Sequence, residues 1–250
     1  MGLTVEESKE IADYCKAQGV KLGVGLMMRF SSYHRKMKEL ISQGVLGDIV
    51  SMRAQLTSWY PEIPGNWRQD KALSGGGALM DMGIHCIDLL QYISGTKAQT
   101  VSCFSGNQTF GYSADDSAAL LMKMDSGATA FVDANFNIPD NAAKCRLEFY
   151  GTKGSILAEG TISQVESGKI ELTASDDSAG YNAKQNREDD NDSVELEIVC
   201  GNMYEKEISS FANAVLNDTE PEITAQDAIL VQTVVEKAYQ ASIEGVYKEI

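Results

Sequence analysis

The sequence predicts a mixed α/β fold in which a large, mostly antiparallel, open-faced sheet carries helices on one face. Six segments in the middle of the chain alternate polar and apolar residues and are separated by Gly, Asp or Asn. Apolar residues recur at helical spacing before and after these segments. An antiparallel sheet can pack helices on one face and leave the other open, so we expect the open face to mediate contacts between subunits.

The first part of the chain predicts a helix followed by a strand. Thr4 and Glu7 have the spacing of a capping box, and the helix that they open is expected to reach about Ala17. Residues 20–25 then have the composition of a short buried strand. Beyond them we expect a helix over 32–43 that ends at Gly44, an alternating strand over 48–58, a loop over 60–67 and a central helix over 75–93.

The six alternating segments give the predicted sheet as a consecutive series of strands. They lie near 98–110, 115–124, 127–137, 144–150, 154–158 and 161–173. Residues 174–193 are polar and lack periodicity, which predicts a solvated loop, because the fixed pattern of a calcium loop is missing. A strand over 194–199 and helices near 202–217 and 225–244 complete the chain.

Composition limits the classes of partner. The 250 residues include 21 Lys and Arg against 36 Asp and Glu, a formal net charge of -15, which argues against nucleic acid or an anionic membrane as partner. No run of about 18 apolar residues and no signal peptide is present, so we expect a cytoplasmic protein. The five cysteines are widely spaced and odd in number, which predicts reduced thiols.

The central helix carries three ionisable residues on an otherwise apolar sequence. Asp81, His85 and Asp88 stand at positions i, i+4 and i+7, which predicts that they share one face. Burying such groups costs several kcal/mol unless they are paired, so the stripe indicates a functional pocket or a structural hydrogen-bond network.

Asp81 and His85 are candidates for an acid/base pair. A carboxylate one turn away is expected to orient the imidazole and to favour its protonated form. A core network remains an equal alternative, since one Asp-xxx-His is weakly specific. The two residues could also ligate zinc, but the only other histidine, His34, lies in a polar helix, and we expect no metal.

Further candidates lie in the segments just before the central helix. The amides of 75–77, three glycines, could accept an anion or could form a tight loop. Trp59, Tyr60, Trp67 and Arg68 offer stacking surfaces and a cation to a planar or phosphorylated ligand, or they form an aromatic hinge.

Arg29 follows the first predicted strand, where α/β sheets bind ligands, and its alternative is a surface salt bridge. Gly23-Val-Gly25 is not a dinucleotide fingerprint, because Met28 replaces the third glycine. The sequence contains neither a GxGxxG motif nor a phosphate-binding P-loop.

Several of these segments together resemble the Gfo/Idh/MocA oxidoreductases, named for glucose–fructose oxidoreductase and inositol dehydrogenase. The resemblance covers essentially the whole chain, and its most specific block runs from the glycines to Asp88. It rests on Val24-Gly-Leu-Met-Met-Arg-Phe30, Gly44-Val-Leu-Gly-Asp-Ile49, Trp67-Arg68, Ser74-Gly-Gly-Gly-Ala-Leu-Met-Asp-Met-Gly-Ile-His-Cys-Ile-Asp88, Asp115-Asp116-Ser-Ala-Ala-Leu-Leu, Asp125-Ser-Gly-Ala and Phe149-Tyr-Gly-Thr-Lys-Gly-Ser.

The resemblance implies NAD(P)-dependent oxidation or reduction of a sugar, polyol or related alcohol. Asp81 and His85 match the family's DxxxH pair, in which the histidine exchanges the proton of the substrate hydroxyl. Arg29, Trp67 and Arg68 match positions that line the cofactor cleft. Among the remaining candidates, Tyr60 and Asp88 are expected to face the substrate.

The same resemblance implies two domains. Residues 1–28 look like the last helix and strand of a dinucleotide-binding Rossmann domain, and 29–250 look like the domain for substrate binding and oligomerisation. The family's glycine fingerprint and its Glu-Lys-Pro tripeptide are absent, so we expect this chain to be inactive alone. A noncatalytic ligand-binding or oligomerisation module is the alternative. We expect a homodimer or tetramer that associates through the open face of the sheet.

Overall fold

The helices lie where the apolar periodicity places them. The computed structural model describes residues 2–174 and 193–250, so the predicted solvated loop lies outside the described residues except for its two end residues. The predicted capping box is present at the N-terminus of the first helix, where the Thr4 side chain accepts a hydrogen bond from the Glu7 amide. The helices are α1 Val5–Ala17, α2 Ser32–Ser42, α3 Lys71–Ser74, α4 Ile84–Ser94, α5 Met203–Leu216 and α6 Ala225–Glu244.

The strands of the described part of the chain form one nine-stranded sheet. All neighbouring strands are antiparallel except β1 and β4, which are parallel. The strands are β1 Ile49–Thr57, β2 Ala98–Gly106, β3 Ser117–Met124, β4 Thr129–Asn135, β5 Arg146–Gly151, β6 Gly154–Glu159, β7 Lys169–Ala174, β8 Ser193–Glu195 and β9 Lys248–Glu249, in the order β8-β7-β6-β5-β1-β4-β3-β2-β9.

The alternation along the strands divides the sheet into two faces, as predicted. In β3, Leu120 and Met122 are buried, whereas Leu121 between them is 45% exposed. The buried face packs against α4 and α6, and the opposite face carries no helix among the described residues. The predicted class, a mostly antiparallel open-faced sheet with helices on one face, is therefore confirmed.

Three details of the predicted sheet are wrong. The strands are not consecutive, because β1 lies between β4 and β5; alternation marks a strand but does not identify its neighbours. Residues 20–25 form no strand, because this extended segment has no neighbouring strand among the described residues, and Val20 is 57% exposed. The segment 161–173 contributes only its end, because residues 160–168 form a turn with left-handed backbone at Gly160 and Gly168.

Three further predictions concern membrane-spanning helices, the cysteines and the last strand. No helix in the described ranges is both long and apolar enough to cross a membrane. All five cysteines are free thiols. Residues 196–199, predicted as part of the last strand, leave the sheet after β8, and Val199 is 91% exposed.

Candidate active site

The central helix does not begin as a regular α-helix. Residues Leu79–Gly83 wind as a π-turn before α4, and the Ile84 amide donates to the Leu79 carbonyl five residues earlier. A π-turn holds more residues per turn than an α-helix, and such turns are frequent at functional sites. Because the turn includes Asp81, it changes the angle at which this residue leaves the helix.

The two aspartates of the predicted stripe lie in different surroundings. The Asp81 side chain is about half exposed, at 50%, whereas Asp88 is 1% exposed. Each carboxylate has its own arginine, and His85 lies between them in sequence.

His85 has a buried ring nitrogen without a partner. Its Nδ1 atom has no hydrogen-bond partner among the described residues, although the residue itself is partly exposed. Burial lowers the pKa of His85, and the nearby Asp81 carboxylate raises it by less. Asp81 therefore favours the protonated imidazole, as expected, but desolvation outweighs it and the net effect is a lowered pKa. Asp81 is no hydrogen-bond partner of Nδ1, so within the described residues this atom is an unused donor or acceptor.

Trp67 and Arg68 lie beside the exposed carboxylate. The Arg68 guanidinium carbon is 4.7 Å from the centroid of the Trp67 ring, and Arg68 Nε is 3.9 Å from Asp81 Oδ1. Both side chains of this ion pair are about half exposed, so the pair is weak and can rearrange around a ligand. The structure thus brings together Trp67, Arg68 and Asp81, with His85 one turn further along the helix.

Tyr60 is fixed in the loop that precedes this cluster. Its ring packs against Phe136 with centroids 4.9 Å apart, and both residues pack in a small cluster with Met82 of the π-turn. The Tyr60 hydroxyl accepts a hydrogen bond from the Asn66 amide at 2.5 Å, and Tyr112 donates to its carbonyl at 3.1 Å. Tyr60 therefore forms a wall of the region rather than a free polar group.

A cleft of about 650 Å³ opens on the other side of this loop. Trp67 is 52% exposed and lines it together with backbone and side chains of the loop. Trp67 lines this cleft, and its neighbour Arg68 pairs with Asp81. The loop therefore borders both the cleft and the surface that carries Asp81. The lining includes Glu62, Ile63, Asn66, Trp67, Asp70 and Tyr112.

Arg29 and Asp88 form a buried ion pair. Arg29 Nε lies 3.0 Å from both carboxylate oxygens of Asp88, and Nη2 lies 2.5 Å from Oδ1. A second carboxylate, that of Asp227, is 3.7 Å from Nη1. The alternative of a salt bridge for Arg29 is thus the observed one, although the bridge is buried. Asp88 lies away from Asp81, and its oxygens are occupied by Arg29.

The glycine loop does not offer free amides to an anion. The Asp115 carboxylate accepts from the Gly77 amide at 2.7 Å, from the Leu79 amide at 3.0 Å and from the Tyr239 hydroxyl at 2.6 Å. A Cβ on Gly77 would lie 1.9 Å from the Asp115 carbonyl oxygen. The loop therefore owes its glycines to close packing, and the tight-loop alternative is the one observed.

Sequence reasoning about the site missed the roles of Asp115 and Asp116. Asp116 accepts from three successive backbone amides, those of Gln108, Thr109 and Phe110, at 2.8 to 2.9 Å. Burial raises the pKa of Asp116, but the backbone amides lower it by more, so the carboxylate stays ionised. Two adjacent acids before an alternating strand were the available signal, since buried carboxylates there need such partners.

The described residues contain no group of three or more His, Cys, Asp or Glu arranged to hold a metal ion. The glycine loop presents no free amide to the phosphates of a dinucleotide, because the Gly75 amide donates to the Lys71 carbonyl, the Gly76 amide to Ser74 Oγ and the Gly77 amide to Asp115. The arrangement that remains is a buried imidazole nitrogen, an exposed carboxylate and an arginine stacked on an indole.

Comparison with known proteins gives these features a family. The model of the GFO/IDH/MocA C-terminal domain matches residues 34–157. The 1,5-anhydro-D-fructose reductase of Ensifer adhaerens is 23% identical over 231 residues, which are 92% of this chain and 64% of that protein. The D-xylose 1-dehydrogenase (NADP(+)) 2 of Haloferax volcanii is 24% identical over 250 residues, which are 99% of this chain and 70% of that protein.

Solved structures agree on the fold. The aldose-aldose oxidoreductase from Caulobacter crescentus complexed with glycerol has a TM-score of 0.87 at 22% identity, covering 100% of this chain and 70% of that one. Levoglucosan dehydrogenase in complex with NADH and levoglucosan has a TM-score of 0.81 at 20% identity, covering 100% and 71%. This chain thus spans about two thirds of the length of these relatives, and it belongs to the GFO/IDH/MocA oxidoreductase family, whose C-terminal domain it contains.

Proposed function

We propose that this chain is the substrate-binding part of an NAD(P)-dependent oxidoreductase that transfers hydride between a nicotinamide and a sugar, polyol or related alcohol. The observation that carries the proposal is the buried, unpartnered Nδ1 of His85 next to the exposed Asp81 and Arg68. Relatives named for reactions of anhydrofructose, xylose and levoglucosan support a sugar or polyol as substrate.

His85 acts as the acid/base group in this proposal. Its lowered pKa keeps the imidazole neutral near pH 7, so the ring can accept the proton of a substrate hydroxyl during oxidation and return it during reduction. The Asp81 carboxylate raises the pKa of His85 and therefore stabilises the imidazolium that forms. A positioned acid/base group of this kind contributes about 10²- to 10⁴-fold in rate.

Trp67 and Arg68 form the side of the site that faces the cofactor. The exposed indole offers an apolar surface, and the guanidinium stacked on it offers donors to a carboxamide or to hydroxyl groups. Tyr60 lines the substrate side through the packing that fixes its ring. Arg29 and Asp88 have no contact with ligand in this proposal and brace the helix instead, because each occupies the other's polar atoms.

A separate dinucleotide-binding domain supplies the phosphate site in this proposal. The amides of the glycine loop already have partners, in the Lys71 carbonyl, Ser74 Oγ and the Asp115 carboxylate. The chain is expected to be inactive by itself, with NAD or NADP bound productively only when that domain is added.

The open face of the sheet carries the second half of the proposal, association into a homodimer or tetramer. Phe104 is 83% exposed, Leu121 45% and Phe131 40%, and all three lie on strands of that face. Apolar side chains grouped on one exposed face are typical of subunit interfaces. The same face favours the alternative function, a noncatalytic oligomerisation or ligand-binding module. Phe104→Asp should shift the protein to monomer in sedimentation velocity, whereas Val199→Asp, which is outside the sheet, should not.

Fluorescence with NADH and NADPH tests whether the cofactor wall assembles in this chain. Both tryptophans, Trp59 and Trp67, lie in the loop at the site, so energy transfer to bound reduced nicotinamide reports on it directly. A transfer signal that Trp67→Phe reduces more than Trp59→Phe places the nicotinamide at Trp67. Absence of any signal at millimolar cofactor is the expected result if the added domain is indispensable.

Activity is then measured after fusion of a dinucleotide-binding domain from the Haloferax relative to the N-terminus. The fused protein is screened for NAD(P)-linked oxidation of sugars and polyols. His85→Gln is expected to lower kcat about 10²-fold or more, and Asp81→Asn to lower it less. Glu39→Gln, on the exposed surface of α2, is the control. A fused protein that binds cofactor and sugar but turns over equally with Gln at position 85 contradicts the acid/base role.

A further inference from the structure

A second cleft lies at the far end of α4, away from the Trp67–Arg68 pair. It has a volume of about 350 Å³ and is enclosed by α2, the C-terminal half of α4 and the beginning of α6. None of Trp67, Arg68, Asp81 or His85 lines it. Its polar lining includes Arg29, Lys38, Gln91, Lys97, Glu222 and Asp227.

Among the described residues, the acidic side chains on the wall of this cleft have ion-pair partners, whereas two of its lysines do not. Arg29 is paired with Asp88 and Asp227, and Glu222 is paired with Arg35 at 2.7 Å. Lys38 and Lys97 have no carboxylate within salt-bridge distance in the described part of the chain. Within the described ranges, the cleft therefore has two ammonium groups without an ion-pair partner, while the carboxylates on its wall are already engaged.

Lys38 is held at the cleft by an aromatic ring. Its Nζ atom lies 3.7 Å from the centroid of Tyr92, and the side chain is half-buried. Burial lowers the pKa of Lys38 and the neighbouring Arg29 acts in the same direction, while the Glu222 and Asp227 carboxylates oppose them by less. An anion bound next to the ammonium group would relieve both effects.

Gln91 supplies a buried donor at the same wall. The residue is 7% exposed, and its Oε1 accepts a hydrogen bond from the Ala98 amide at 3.0 Å. This bond fixes the orientation of the side-chain amide, because the reversed amide would place two donors against each other. Its Nε2 is buried and has no partner among the described residues. A buried unmet donor costs free energy, which an acceptor in the cleft would recover.

We propose that this cleft binds a small oxyanion, a carboxylate or a phosphate. The Gln91 amide and the Lys38 ammonium donate to its oxygens. The net charge of -15 opposes nonspecific attraction of anions, so saturable binding would require donors arranged specifically in the cleft. The cleft is independent of the oxidoreductase proposal, since it uses none of the residues assigned to the reaction.

Titration of the full chain with sodium phosphate and, separately, with sodium acetate tests the proposal. Sodium chloride keeps the ionic strength constant, and nitrogen-detected or proton–nitrogen NMR follows the side-chain amide of Gln91. We expect a saturable shift in the millimolar range or below with one or both anions. Saturation by phosphate alone identifies a phosphate ligand, and saturation by acetate alone identifies a carboxylate.

Single-residue variants distinguish specific binding in this cleft from nonspecific attraction of anions to lysine side chains. Lys38→Met keeps the hydrocarbon against Tyr92 and should weaken binding about tenfold or more. Lys36→Met removes the same charge two residues away, where Lys36 already pairs with Glu39, and should leave binding unchanged. Lys97→Met gives a second reading if Lys38→Met fails to fold. Absence of saturation with both anions, or equal weakening by Lys36→Met and Lys38→Met, overturns the proposal.

Discussion

Two groups of the same composition lie along the central helix, and they differ in how completely their polar atoms are paired. Arg29 and Asp88 make three contacts of 2.5 to 3.0 Å while both are buried, at 7% and 1% exposure. Close to them, His34 is fully buried, with Nδ1 2.7 Å from the Met28 carbonyl and Nε2 3.4 Å from Thr161 Oγ1.

The second group again contains an arginine, an aspartate and a histidine. Arg68 and Asp81 are about half exposed and 3.9 Å apart, and His85 has an unpartnered buried nitrogen. The first group has little left to offer a ligand, whereas the second combines a half-exposed ion pair with a buried imidazole nitrogen that has no partner among the described residues. Residue type alone therefore does not distinguish a structural polar group from a candidate catalytic one along this helix. The two groups differ in whether all their polar atoms have hydrogen-bond or ion-pair partners.

The largest expected effect is the loss of the buried carboxylate. Asp88→Ala leaves Arg29 buried with only the more distant Asp227, and we expect the free energy of unfolding in urea to fall by about 3 to 5 kcal/mol. Asp81→Ala, which breaks the exposed pair, should change it by about 1 kcal/mol or less. Equal losses in the two variants would remove the distinction between the groups.

The histidines provide the next test. Burial lowers the pKa of His34 from 6.5 to about 4, with the Met28 carbonyl opposing by less. Between these two values the unfolded chain binds a proton that the folded chain does not, so stability is full above pH 6.5 and falls as pH decreases towards 4. The loss attributable to His34 is about 3 kcal/mol, at about 1.4 kcal/mol per pKa unit.

Urea unfolding measured from pH 7 to 4 checks this expectation. His34→Asn retains an amide donor for the Met28 carbonyl but does not titrate, so most of the slope should disappear. His85→Asn should remove a part of the slope with the same sign, because the pKa of His85 is also lowered. A slope that persists unchanged in the His34 variant would assign acid sensitivity to the carboxylates instead.

Features of the fold that depend on neighbouring residues could be predicted from the sequence, whereas those that depend on distant residues could not. Local patterns placed helices such as α2 and α6 within one or two residues, because periodicity and caps are properties of neighbouring residues. The position of β1 between β4 and β5 depends on pairing between residues such as Ala54 and Val132, which are far apart in sequence. Alternation in a single strand carries no such information.

The candidate site shows the same limit. The grouping of Trp67, Arg68 and Asp81 followed from proximity in sequence and from a family pattern. The separation of Asp88 from Asp81 did not, because the π-turn and the buried Arg29 partner have no local sequence signature. The glycine loop was equally ambiguous, since the partner of its Gly77 amide is Asp115, almost forty residues further along the chain.

The smallest expected effect concerns the field of Asp81 at His85. Because that carboxylate raises the pKa of the imidazole, Asp81→Asn should lower it further. Proton NMR of the His85 ring across the pH range measures the change in the isolated chain without any activity. Asp13→Asn, which removes an equal charge from the exposed surface of α1, should leave the His85 titration in place.

If the His85 titration is the same in Asp81→Asn as in the wild type, the carboxylate exerts no field on the ring. Asp81 would then be a surface partner of Arg68 alone, and His85 would have to work without it. A downward shift confined to Asp81→Asn shows instead that a half-exposed carboxylate tunes a buried imidazole. Such coupling across solvent is weak enough for a ligand to change and distinguishes this group from the saturated pair at Arg29 and Asp88.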